Sequence, residues 1–201
     1  TSLKLGGKNQ IIVREIKKSN KRINKLIISF LLYNKRVKKA LIFNPYLDTL
    51  GGGEFYTFLV IEFLLKKGYR VEIAWRKSDL LNKINSRFNL NFNNRVIINH
   101  KAWQIFTKKN NLFKKYIFTK KYQLIFYISD GSIPFLFAKK NYLLFQSPFQ
   151  NVKGGSFINQ IKLKRINSVF CYSYFVKKFI DKEFRIKAKV IYPAISNSFL
   201  K

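Results

Sequence analysis

Residues 47–75 read LDTLGGGEFYTFLVIEFLLKKGYRVEIAW. Gly51, Gly52 and Gly53 stand together in a chain of 201 residues that has only nine glycines. Before them, ALIFN from Ala40 is a short apolar run suited to a buried strand. After them, Phe55, Phe58, Leu59, Ile61, Phe63, Leu64 and Leu65 recur at helical spacing, which predicts a helix over 54–67. Lys66 and Lys67 suit the negative end of that helix, and Gly68 suits the left-handed residue that closes it. YRVEIAW then reads as a second strand. The order is strand, glycine turn, helix, strand.

The same theme continues along the chain. RVIINH from Arg95, YQLIFYISD from Tyr122, NYLLFQS from Asn141, SVFCYS from Ser168 and KVIYPAI from Lys189 read as strands three to seven. Pro193 ends the last one, and YFVKKFIDKEF from Tyr174 reads as a helix. Strands that are apolar throughout, with helical segments between them, indicate a parallel sheet covered on both faces. The expected class is α/β, with a Rossmann-like sheet over residues 39–201. Residues 1–38 differ: they are basic, with Ile12, Ile16, Ile23 and Ile27 near helical spacing. They read as a basic helical extension that packs, links, or lies on an anionic membrane. The chain begins with Thr1 and ends in ISNSFLK, which reads as a chain cut at both ends.

Composition narrows the function classes. The chain is 47% hydrophobic with 21 Phe, which supports a core and excludes a disordered composition. Lys and Arg number 40 against 9 acidic residues, a net charge of +31. Such a surface attracts phosphate, whether in nucleic acid, lipid or substrate. A general bias toward Lys, Asn, Ile and Phe is the competing explanation. Cys171 alone makes no internal disulfide, and in the apolar VFCYS it reads as a buried, inert thiol. His100, the single histidine, makes no zinc site with one cysteine, so no metal is expected. LIISFLLY, residues 26–33, is too short to span a bilayer.

In a sheet of this kind ligands gather beyond the carboxyl ends of the strands. Gly51, Gly52 and Gly53 fall there, where bare backbone approaches a ligand and a helix start offers free amides. Glu54 favours the helix dipole but repels a phosphate placed against it. The spacing is neither G-x-G-x-x-G nor G-x-x-x-x-G-K-[ST], so dinucleotide and P-loop sites are not supported. A tight turn without a ligand stays open. Asp130, in ISDGS, ends the fourth strand, where a carboxylate holds hydroxyls or takes a proton. Asp-Gly is also a strong turn signal, and the two readings are compatible. Ser129 and Ser132 flank it. Gln146 and Ser147 end the fifth strand, and Pro148 stiffens the exit. Asn44, Tyr46 and Asp48 precede the glycines and are further substrate candidates. His100 reads as a loop residue.

FNPYLDTLGGGEFYTFLVIEFLLKKGYRVEIAW resembles the opening of the N-terminal domain of family 4 glycosyltransferases, the retaining GT-B type. YISDGSIPFLFAKKNYLLFQSPFQ and SYFVKKFIDKEFRIKAKVIYPAI are similar, in order and spacing, to later parts of that domain. The resemblance covers residues 39–195. It implies a two-domain enzyme whose N-terminal half binds a glycan or lipid-linked acceptor. A nucleotide-sugar is then the donor co-substrate, with no tightly bound cofactor. The donor half, with its paired glutamates, would follow Lys201, so this stretch by itself is expected to be inactive. Tyr172 and Leu144 depart from the family, which usually shows Asn and His there. Many enzymes of this type work on the cytoplasmic face of a membrane. KKNNLFKKYIFTKKY, residues 108–122, mixes cations and aromatics and suits anionic headgroups or a solvated helix face equally. The alternative is a basic nucleic-acid-binding or non-catalytic interaction module. No RNA-binding or zinc-finger signature supports it, and nucleic acid is not an expected partner.

Overall fold

The computed structural model describes residue 21 and residues 37–192 except 91, 93–94 and 109–110. The chain divides into two units, Thr1–Val37 and Lys38–Lys201. The basic extension read over residues 1–38 falls outside the described residues, apart from Lys21, Val37 and Lys38.

The second unit is a seven-stranded, all-parallel sheet in the order β3-β2-β1-β4-β5-β6-β7. Its strands are β1 Lys38–Phe43, β2 Tyr69–Ala74, β3 Val96–Ile98, β4 Leu124–Ser129, β5 Lys140–Phe145, β6 Ser168–Cys171 and β7 Lys189–Val190. Helices α1 Gly52–Lys66 and α2 Leu80–Phe88 follow β1 and β2. Helices α3 His100–Thr107 and α4 Leu112–Thr119 lie between β3 and β4. Helices α5 Phe157–Leu163 and α6 Tyr174–Phe184 follow β5 and β6. This is the α/β, Rossmann-like arrangement expected, and all seven strands overlap the runs read from sequence, β1 and β5 beginning one or two residues before theirs, at Lys38 and Lys140.

The side-chain alternation of each strand feeds two cores. Leu41, Phe43, Ile125, Tyr127, Leu143 and Phe145 pack with residues of α3 to α6, including Ala102, Phe118, Ile180 and Phe184. Ala40, Ile42, Ile73, Phe126 and Leu144 pack on the other face with Phe58, Ile61 and Leu64 of α1 and Ile84 of α2. Burying a side chain of this size stabilises by about 1.5–3 kcal/mol, so the two cores carry the fold. One charge is tucked into the first core. Glu72 of β2 accepts hydrogen bonds from the Tyr122 hydroxyl and the Asn99 amide, both at 2.6 Å. A buried carboxylate needs such donors, and sequence periodicity does not reveal them.

Gly68 takes φ +79 directly after α1, as a left-handed closing residue should. The start of α1 differs from expectation. The helix begins at Gly52, so two of the three glycines are its first residues rather than a turn before it. Left-handed backbone falls on Leu50 instead, at φ 48. Glu54 makes the early start favourable: its Oε2 accepts from the Gly51 amide at 2.9 Å and the Thr49 hydroxyl at 2.7 Å.

Candidate functional site

The strand order reverses between β1 and β4, which are direct neighbours. Their connections leave the carboxyl rim in opposite directions and open a crevice there. The 44–51 loop and the start of α1 border it on one side. The 130–132 turn and the end of β5 border it on the other. A hollow of about 350 Å³ sits in this crevice, lined by Tyr46, Thr49, Glu54, Ser129, Gln146, Ser147 and Phe149. The glycine run and Asp130 therefore share one rim. A larger apolar hollow of about 610 Å³, lined by Val60, Phe63, Leu124, Phe126 and Tyr142 among others, lies on the α1 face of the sheet. It reaches the first residues of β1, β2, β5 and β6, at the opposite rim.

Each sequence candidate has a definite place. Gly52 faces open space, with nothing within 4 Å of where a Cβ would stand. A Cβ on Gly53 would stand 3.0 Å from Gln146 Nε2, so glycine there lets α1 meet the end of β5 closely. Phe55 is the first backbone donor inside α1, bonding the Gly51 carbonyl at 3.0 Å. The Gly52, Gly53 and Glu54 amides precede it and have no carbonyl within the helix to pair with. The Glu54 side chain is buried in its capping role and lines the floor of the hollow.

Asp130 forms the Asx-turn. Its Oδ1 accepts from the Ser132 amide at 3.1 Å and the Ser132 hydroxyl at 2.6 Å. Oδ2 takes no bond among the described residues, so the exposed carboxylate keeps accepting capacity. Ser129 braces the same turn, donating to the Ser132 carbonyl at 2.7 Å and accepting from the Gly131 amide at 2.9 Å. Gly131 is required by geometry: its φ is +99, and a Cβ would stand 2.9 Å from Phe149 Cδ1. Two phenols sense the Asp130 charge. Burial first, then that charge, raises the pKa of the Tyr46 and Tyr127 hydroxyls above its ordinary value, most at Tyr127.

Asn44 lies beneath the site rather than in it. It is fully buried, donating to Thr57 Oγ1 at 3.0 Å and accepting from the Tyr46 amide at 2.9 Å. Its amide fixes the loop that presents Tyr46. Asp48 pairs with Arg76 at 2.8 Å on the surface and is absent from the hollow lining. His100 is the exposed first residue of α3, beyond edge strand β3, and not part of a loop. Cys171 is fully buried, and burial pushes its thiol pKa up, as befits an inert side chain.

Sequence reading missed Thr49 and Phe149 as lining, and missed the role of Tyr172. The Gln146 amide donates to the Tyr172 hydroxyl at 3.3 Å, which donates to the Gly53 carbonyl at 3.4 Å. Tyr172 thus ties the end of β6 to the start of α1. Its place just past a strand end was the available signal. Leu144 is fully buried in the α1-side core, so that position presents nothing to the crevice.

Among the described residues there is no cluster of His, Cys, Asp or Glu able to hold a metal, and no helix long and apolar enough to cross a membrane. The chain matches no protein-family model and no curated protein.

Proposed function

We propose that this domain is the acceptor-binding half of a retaining GT-B glycosyltransferase, with the rim hollow as its sugar subsite. One observation carries the reading. The chain has 40 Lys and Arg, yet among the described residues none lines the hollow. The lining is hydroxyls, an amide, one carboxylate and two aromatic rings. A phosphate or nucleotide finds no cation there and meets Glu54. A neutral glycan, or the sugar end of a lipid-linked acceptor, finds hydrogen-bond partners and ring faces. Asp130, beside it, is positioned to accept a hydroxyl proton of the acceptor. In this reading the nucleotide-sugar is held by a separate donor domain, with no metal, and the enzyme works in the cytoplasm at the inner membrane face.

Saturation-transfer NMR with neutral oligosaccharides tests it. Signal is expected on sugar ring protons and is expected to fall in Gln146→Ala. Transfer only to phosphorylated compounds, unchanged by that substitution, would refute the sugar subsite.

A further inference from the structure

The larger hollow, at the amino rim of the sheet on the α1 face, has no part in the sugar reading. A parallel sheet is ordinarily covered on both faces. Helices α3 to α6 send their buried apolar side chains into the other core, so among the described helices α1 and α2 stand alone on this face. α1 walls the hollow with Val60, Phe63 and Leu64. The floor is Leu124 and Phe126 of β4, Tyr142 of β5 and Phe170 of β6. Strand register makes that floor continuous: Phe126 stands opposite Tyr142, and Tyr142 opposite Ser168. The Tyr142 and Phe170 rings lie 5.9 Å apart and are half-buried, while Phe63 is 57% exposed.

Cations gather at one end of this apolar space. Lys38 begins β1, Lys140 begins β5, and Lys67 caps the end of α1. The strand starts and the end of α1 meet at the amino rim, so the three charges share it. All three line the hollow and are exposed. Lys38 lies 5.9 Å over the Tyr69 ring, and Lys67 lies 5.5 Å over that of Phe63. Among the described residues the three join no ion pair, and no carboxylate lines the hollow.

We propose that this hollow binds a single-chain amphiphile of the fatty-acid class, its carboxylate on the three lysines and its hydrocarbon tail along the floor. Charge complementarity sets the sign of the head. A second copy of this chain, at +31, brings like charge instead. Size sets the class: about 610 Å³ falls within the roughly 300–1,000 Å³ of small-ligand sites. A helix about 10 Å across fills that volume in under two turns, too little for a peptide partner. Between the lysines the lining is apolar apart from the hydroxyls of Tyr69, Tyr142 and Ser168, which suits a tail and gives a nucleotide few partners. The proposal does not depend on the sugar subsite, which lies at the opposite rim.

The test is isothermal titration of the full chain with sodium dodecanoate below its micelle concentration, with heteronuclear NMR to place the site. One dodecanoate per chain is expected, shifting amides in the second half of α1 and at the starts of β5 and β6. Acetate, a head without a tail, and dodecyl maltoside, a tail without a charge, should each bind more weakly. Lys38→Gln, Lys67→Gln and Lys140→Gln together should weaken dodecanoate about tenfold, since each exposed ion pair contributes roughly two- to threefold. Ser168→Phe fills the hollow and should weaken it at least about tenfold. Phe63→Ser, at an exposed position, should also weaken it without adding volume. Lys114→Gln, Lys120→Gln and Lys164→Gln together remove the same charge from α4 and the end of α5 and should change binding little. All six lysines are exposed, so circular dichroism and melting without ligand should stay as in the parent. No dodecanoate binding by the parent overturns the proposal. So does an equal loss in the α4–α5 control, equal binding of dodecyl maltoside, or amide shifts confined to the other face of the sheet.

Discussion

Replacing Gly52 with alanine should raise stability and weaken sugar binding at once. Gly52 is the first residue of α1, and a Cβ there meets nothing within 4 Å. The substitution therefore costs no contact in the folded state. It removes freedom from the unfolded chain, which is worth about 0.4–1 kcal/mol. In a domain of this size each kcal/mol moves the melting temperature by roughly 2–4 °C, so a rise of about 1–4 °C is expected. Gly52 borders the hollow without lining it, and in the proposed reading a methyl there should crowd a saccharide that approaches the unpaired helix-start amides. Losing one neutral hydrogen bond there should weaken a bound saccharide about two- to tenfold. Thermal unfolding by circular dichroism reads the first effect, and an NMR titration with the saccharide reads the second. A fall in melting temperature would refute the open helical placement of Gly52. Unchanged affinity in a stabilised variant would refute the idea that the glycine run serves a ligand.

Gly131→Ala should do the opposite to stability, costing about 1–3 kcal/mol in urea unfolding, because φ +99 is strained for alanine and Phe149 blocks the Cβ. It should also displace Phe149 from the hollow and reduce saccharide binding. Glu183→Ala removes a carboxylate that accepts from the Asn151, Val152 and Gly154 amides, and should destabilise by about 1–3 kcal/mol with faster amide exchange across residues 151–154. Burial raises the phenol pKa values of Tyr122, Tyr127 and Tyr172 above their ordinary 10.0. The unfolded chain then releases those protons first, so their contribution to stability falls as pH rises past that value. Melting temperature against pH should show a smaller alkaline loss in Tyr127→Phe than in the parent, and equal losses would contradict the burial argument.

Local physics made much of this protein readable from its residues. Strands such as LIFYIS, covered on both faces, show as unbroken apolar runs, and the Lys66-Lys67-Gly68 ending marks the close of α1 because each residue acts on its own turn. The Asp130 turn was legible for the same reason: an Asx-turn is made within three residues. What needed the tertiary structure was everything that joins distant segments. Only the pairing of β1 with β4 brings the glycine run to the Asp130 turn, and no local pattern specifies that neighbour. Other long-range packing holds Asn44 against Thr57 of α1, sets Tyr172 after β6 against Gly53, and lets Asn99 and Tyr122 satisfy Glu72 of β2. Charge divides in the same way. The excess of cations is a property of the sequence. Their absence, among the described residues, from the hollow, and their gathering with exposed apolar side chains on α4 and α5, arise from which faces the folded sheet leaves to solvent.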